Sequence, residues 1–260
     1  MSTVTSADGT TIAYETTGSG PAVVIVATTA ADRHDLDGLA AALASRFTVH
    51  NYDRRGRGES GDTPPYAPER EIEDLAALLD AIGEPALLVG GSAGCVLALD
   101  AATALGERVS GLFLYEPSFV IDDSRPPVPA DYVETVERLV AEDRRSEAVE
   151  YFMTRAVGVP AEYLEPMKAD PSWARMVGYA HTLAYDGRIV AGTQSGRPLP
   201  ADRWKVDAPV RVVAGENSPP FFHEGAKALV ALLANAEYGV LPGHDHSAPW
   251  MAPDAVAALV

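Results

Sequence analysis

The pentapeptide Gly90-Gly91-Ser92-Ala93-Gly94 sets one hydroxyl among small residues. The apolar run Ala86-Leu87-Leu88-Val89 precedes it, and the helix-forming run Cys95-Val96-Leu97-Ala98-Leu99-Asp100-Ala101-Ala102 follows. A strand that runs straight into a helix requires a sharp turn with Ser92 at its apex. Side chains at positions 90 or 94 would then collide with neighbouring backbone. Such a turn holds the hydroxyl at a strand end, over the positive end of a helix. The arrangement suits a nucleophile; the alternative is a serine that only caps the helix. A serine nucleophile needs a base for its proton, a group to orient that base, and N–H donors for the developing oxyanion.

Those groups must be delivered by a scaffold, and the periodicity predicts one. Val4-Thr5 and residues 11–16 flank Asp8-Gly9 and read as a hairpin. Residues 22–27, 47–52, 86–89, 111–115, 209–214 and 238–241 read as strands, most of them continuous apolar runs as burial on both faces requires. Helical spacing marks 35–45 and 69–82, the second closed by Gly83. Strands alternating with helices predict an α/β fold: a mostly parallel central sheet, helices on both faces, and a site beyond the C-terminal strand ends. The rhythm breaks after Pro117. A Pro-rich linker at 122–129 leads into helical segments at 131–142, 146–157, 161–169 and 171–190. The expected organisation is a core of residues 1–117 and 208–260, with residues 118–207 inserted as a helical cap over the strand ends.

Composition narrows the function. Twenty Lys and Arg against thirty-seven Asp and Glu give a formal charge of −17, which excludes nucleic acid and anionic membrane surfaces as natural partners. A lone cysteine, Cys95, forbids an intrachain disulfide and fits a reducing compartment. The first residues carry no basic or apolar signal, and no apolar run is long enough to span a bilayer. The expectation is a cytoplasmic monomer or homodimer whose partner is a small-molecule substrate. Ala, Gly, Asp and Arg usage points to a GC-rich bacterial source. His244-x-His246 is too little for a metal site, so neither metal nor organic cofactor is expected.

Three segments together resemble the α/β-hydrolase fold superfamily: the serine turn, the loop Tyr52-Asp53-Arg54-Arg55-Gly56-Arg57-Gly58-Glu59-Ser60-Gly61, and the terminal Leu241-Pro242-Gly243-His244-Asp245-His246. The resemblance runs from about residue 10 to the end. It implies the chain order nucleophile, acid, histidine. His246, three residues after Gly243 and seven before Pro253, is the expected base, with His244 as the rival. Many members place the acid three residues after the glycine that follows the family's seventh strand. Here Gly215 is followed by Glu216, Asn217 and Ser218, so a serine stands in the acid's place. Glu116 directly follows the sixth strand, which is where zearalenone-lactonase-like members carry their acid. The resemblance therefore favours Glu116, with Glu216 as the alternative. The implied oxyanion donors are the N–H groups of Ala93 and Thr29. The loop Ala27-Thr28-Thr29-Ala30 lacks the His-Gly common there, and the Arg54-Arg55 pair should tie its loop to nearby carboxylates.

The resulting expectation is a serine hydrolase that cleaves an ester or lactone of a small to medium, uncharged, partly apolar molecule through an acyl-enzyme. Thr28, His181 and Trp173 are the candidate substrate contacts. Two alternatives stay open: non-hydrolytic chemistry on the same Ser-His pair (cyclisation, C–C cleavage or decarboxylation), and a non-catalytic ligand-binding protein on a hydrolase scaffold.

Overall fold

The computed structural model describes residues 1–260. Eight strands form one sheet: β1 (Ser2–Thr5), β2 (Thr11–Gly18), β3 (Ala22–Val26), β4 (Thr48–Tyr52), β5 (Ala86–Gly91), β6 (Val109–Tyr115), β7 (Val210–Gly215) and β8 (Ala236–Leu241), in the spatial order β1-β2-β4-β3-β5-β6-β7-β8. The β1–β2 and β2–β4 pairs are antiparallel, and every later pairing is parallel. Every residue of β3 is buried, as the run Ala-Val-Val-Ile-Val demands of a strand covered on both faces. On one face pack α2 (Pro68–Ile82), α3 (Ala93–Leu105) and α9 (Pro220–Leu232). On the other pack α1 (Asp37–Leu43), α10 (Ala248–Met251) and α11 (Pro253–Ala257). No helix is long and apolar enough to cross a membrane.

Between β6 and β7 the chain leaves the sheet for α4 (Tyr132–Ala141), α5 (Arg145–Tyr151), α6 (Leu164–Lys168), α7 (Pro171–Gly178) and α8 (Thr182–Ile189). These helices share a small core of their own, with Val136, Leu139, Val149, Trp173 and Leu183 among its members. Residues 171–190 are not one helix. Gly178 ends α7, and Thr182 then folds back so that its N–H and its hydroxyl both donate to the Tyr179 carbonyl at 2.8 Å, closing a turn. The Tyr179 hydroxyl donates to Asp32 at 2.8 Å and fixes the break against the sheet domain.

The loop after β4 is where inserted helices and sheet are tied together. Arg54 donates to both oxygens of Glu71 on α2, at 2.7 and 2.9 Å, and to the Ala27 carbonyl at 3.1 Å. Arg57 donates to Asp186 on α8 at 2.7 Å and to the Thr28 carbonyl at 2.9 Å. The other Asp186 oxygen forms an ion pair with Arg54 Nη1 at 2.8 Å. All four side chains are buried. Arg55 makes a separate buried pair with Asp74, and Arg33 holds Asp53 and Glu59. Burial alone would discharge Asp186, but the two guanidiniums outweigh it and hold its pKa below the ordinary carboxylate value.

A depressed folded pKa means that ionised Asp186 stabilises the fold fully above its unfolded value near 4. That stability is lost as pH falls through the lower, folded value. Asp186→Asn leaves two buried cations short of charge and should lower stability at pH 7 by on the order of 3 kcal/mol. It should also flatten the fall in stability below about pH 4. Thermal melts of both proteins from pH 7 to pH 3 check this; superimposable curves would show that the cluster anchors nothing.

Candidate active site

Ser92 ends β5 with φ 51° and ψ −119°, a conformation that a non-glycine residue adopts only when its surroundings force it. Its N–H donates to the Tyr115 carbonyl of β6 at 3.0 Å, which fixes the apex from one side. Gly94 fixes it from the other. A Cβ there would lie 2.4 Å from the Val26 carbonyl oxygen and 2.8 Å from that of Ala27. Ser92 makes no capping hydrogen bond to α3, so its hydroxyl is free for the cavity it lines. Cys95, fully buried, gives its thiol to the Gly90 carbonyl and packs within the core.

Glu116 follows β6 with φ 51° and is wholly buried. One carboxylate oxygen accepts the Gly215 N–H at 2.6 Å, and the other lies 2.7 Å from His246 Nδ1. A carboxylate only accepts, so Nδ1 is the donor in this contact, and in the neutral ring the lone pair is then on Nε2. The imidazole is held as a plane by Phe222, stacked at 4.6 Å and 15°, and by Trp250, edge-on at 6.2 Å. Gly215 allows the β7 end to meet this loop: a Cβ would sit 2.5 Å from the His244 carbonyl oxygen. His244 holds the loop by that carbonyl, which accepts from Asn217 N–H at 2.8 Å. Glu216 is exposed and accepts the Gly243 N–H at 2.8 Å, away from His246.

Ser92, His246, Thr28, Thr29 and Ala93 line one cavity of about 480 Å³ under the inserted helices. No hydrogen bond joins Ser92 Oγ to His246, a contact that commonly tightens only when substrate is bound. The Thr29 N–H has no partner within the protein, and that of Ala93 belongs to the first turn of α3, where helix N–H groups lack internal acceptors. The walls are mainly apolar and aromatic, with Tyr132, Met153, Leu183, Phe221 and Phe222 prominent.

Two expected substrate contacts lie elsewhere. Trp173 is buried in the core of the inserted helices, and its indole N–H donates to Ser146 at 3.2 Å. His181 sits at the break before α8, which turns it toward the loop after β4. There it lies 3.8 Å from Asp62 and edge-on to Tyr185, and burial holds its pKa below the usual histidine value. Conversely, Asp186, Phe222, Trp250 and Arg125 line the cavity without having been singled out from sequence. Asp186 alone carried a signal: it falls at helical spacing with Thr182, Leu183 and Ile189 on the inward side of α8.

Gly94→Ala should destabilise the protein by about 1–3 kcal/mol, because the added methyl meets two fixed carbonyls. At Gly91 a Cβ meets nothing within 4 Å, so Gly91→Ala should be nearly neutral. Denaturant titrations of the two variants give the comparison; equal effects would mean that close approach at position 94 does not set the turn.

Residues 23–259 match the alpha/beta hydrolase family. The structure of an alpha/beta hydrolase from Sphaerobacter thermophilus is 45% identical, with a TM-score of 0.91 over 99% of this chain and 98% of that one. A thermophilic esterase from Thermogutta terrifontis, at 23% identity, shares the fold with a TM-score of 0.75 over 99% of this chain and 95% of its own. Among curated proteins, an uncharacterized hydrolase of Bacillus subtilis is 34% identical over 113 residues, 42% of either chain. A pimeloyl-acyl-carrier-protein methyl ester esterase of Methylococcus capsulatus is 34% identical over 119 residues, 45% of either chain. The chain thus spans less than half the length of these curated relatives. With its sheet order, its strained serine turn and a match over nearly its whole length, the chain belongs to the alpha/beta hydrolase family of enzymes.

Proposed function

We propose that the protein is a serine hydrolase of carboxylic esters or lactones, with Ser92 as nucleophile, His246 as base and Glu116 as the acid that orients it. The observation that carries this reading is the 2.7 Å contact between Glu116 and His246 Nδ1, which engages Nδ1 as donor and leaves Nε2 as the ring nitrogen to serve as base in the cavity that His246 and Ser92 both line. In the first half-reaction Ser92 Oγ attacks the carbonyl carbon and its proton passes to His246 Nε2. The N–H groups of Ala93 and Thr29 hold the oxyanion. Collapse breaks the C–O bond, and His246 protonates the departing alkoxide. In the second, water attacks the acyl-serine, His246 takes its proton, and Ser92 leaves with that proton to regenerate the enzyme. For a lactone the alcohol stays attached, and the product is one hydroxy acid.

The cavity suits a small to medium, partly apolar substrate. The segment 118–207 acts as a cap: its helices form the upper wall, and the Asp186 cluster docks them on the sheet domain. The ester hydrolases among the relatives support the same reaction class.

A fluorophosphonate probe should label Ser92, and Ser92→Ala should abolish both labelling and ester turnover while the fold stays intact. The expected loss is roughly 10⁴–10⁶ in kcat. Glu116→Gln keeps the shape but favours the wrong tautomer and should lower kcat by up to roughly 10⁴. Glu216→Gln should be close to silent. An unlabelled Ser92 in the wild-type protein would instead support ligand binding without catalysis. Full activity in Glu116→Gln would move the acid elsewhere.

A further inference from the structure

Nearly every charge that reaches the cavity already has its counter-charge. Asp186 is held by Arg54 and Arg57, and Arg175 lies 2.6 Å from Asp35. Arg125 is different. It lies on the linker between β6 and α4, lines the cavity, and has no carboxylate within 4 Å, although the chain has thirty-seven acidic residues. One Nη2 proton goes to the Ala156 carbonyl at 2.8 Å, and the guanidinium plane rests over the Phe221 ring at 4.7 Å. Its other N–H donors have no partner in the protein. Burial lowers its pKa with no carboxylate opposing the effect. The buried arginines Arg33, Arg54, Arg55 and Arg57 are all paired, so a half-buried one left open at an apolar cavity calls for a ligand.

The aromatic floor gives the direction. From the guanidinium to Phe221, from Phe221 to Phe222, and from Phe222 to the His246 imidazole are consecutive steps of 4.7, 4.1 and 4.6 Å. An apolar chain lying along these rings joins the reacting centre at one end to a fixed cation at the other. We propose, resting on the ester-hydrolase reading, that the natural substrate is an ester or lactone carrying one carboxylate, that Arg125 binds this carboxylate, and that an apolar spacer separates it from the scissile bond. A single fork of unused donors matches a carboxylate, the planar monoanion that guanidinium binds in two-point fashion. A phosphate would need a second free cation, and Arg175 is already taken by Asp35.

The test compares mono-4-nitrophenyl esters of straight-chain diacids, from four to eight carbons, with the same compounds methylated at the free carboxylate. A parallel series carries the carboxylate on the alcohol side. Hydrolysis adds one water across the aryl ester and releases nitrophenol. In the best-turned-over series, Arg125→Met should lower kcat/KM for the acid roughly 10- to 100-fold and for its methyl ester less than threefold. Arg125→Lys should restore part of the loss, with the thermal midpoint unchanged. Equal losses on acid and methyl ester, or no dependence on Arg125 in any length or series, would overturn the proposal and leave Arg125 as a brace for the π-helical segment Phe152–Val157. Calorimetry of the diacid monomethyl esters on Ser92→Ala, with and without Arg125→Met, reads binding apart from catalysis. Arg125-dependent binding by a protein that turns over no ester would keep the anion site and reject the hydrolase reading. Binding that ignores Arg125, or no binding, would reject the anion site.

Discussion

Two guanidiniums shut away from solvent must have counter-charge at contact distance, and Asp186 on α8 supplies it to Arg54 and Arg57. The same two arginines also donate to the carbonyls of Ala27 and Thr28. One cluster therefore positions three things: the loop carrying the Thr29 N–H, the helix α8 that lines the cavity, and, through Glu71, the flank of the sheet. Surface ion pairs could not do this, because solvent screens them and their side chains stay free to move. Burial makes the cluster rigid and also makes each partner hard to remove singly.

Strain gathers at the same place. Ala30 after β3, Ser92 after β5 and Glu116 after β6 all have φ near +50° without being glycine. Ser92 and Glu116 are each the first residue after a buried parallel strand, where the chain turns abruptly, and Ala30 lies in the turn of the loop that follows β3. The sheet order makes this possible, since β3, β5 and β6 are adjacent and end on the same edge. Such conformations cost of order 1–3 kcal/mol each, and the hydrogen bonds from Ser92 N–H to Tyr115 and from Glu116 N–H to Val213 hold two of them in place.

Much of this was legible in the residues. Buried parallel strands are continuous apolar runs, so β3, β5 and β6 announce themselves, and the serine turn follows from its flanks. The Glu116–His246 contact could be anticipated because Ser218 occupies the place where an acid is commonly found. Orientation within the inserted helices was not legible. It depends on the break at residues 179–181, which Thr182 closes by hydrogen bonds to the Tyr179 carbonyl that leave the apolar periodicity unchanged. Reading through that break mis-aimed His181, and Trp173 was claimed by its own helices' core. Arg125 comes from a Pro-rich linker, where no period tells which way a side chain points.

The twin attachment of Glu116, one oxygen on His246 and one on the Gly215 N–H, has a meaning for how such sites diverge. The carboxylate grows from β6 yet is gripped by the end of β7. It therefore occupies the space that an acid grown from β7 would also enter. Ser218, three residues past Gly215, is buried with its hydroxyl unpartnered. The imidazole reads only a negative charge at one point in space and is indifferent to which strand delivers it. A lineage can then carry acids on both strands for a time, lose either one, and keep its histidine where it was throughout. The position of the acid in the chain is thus free to vary, while its position in space is a requirement of the chemistry.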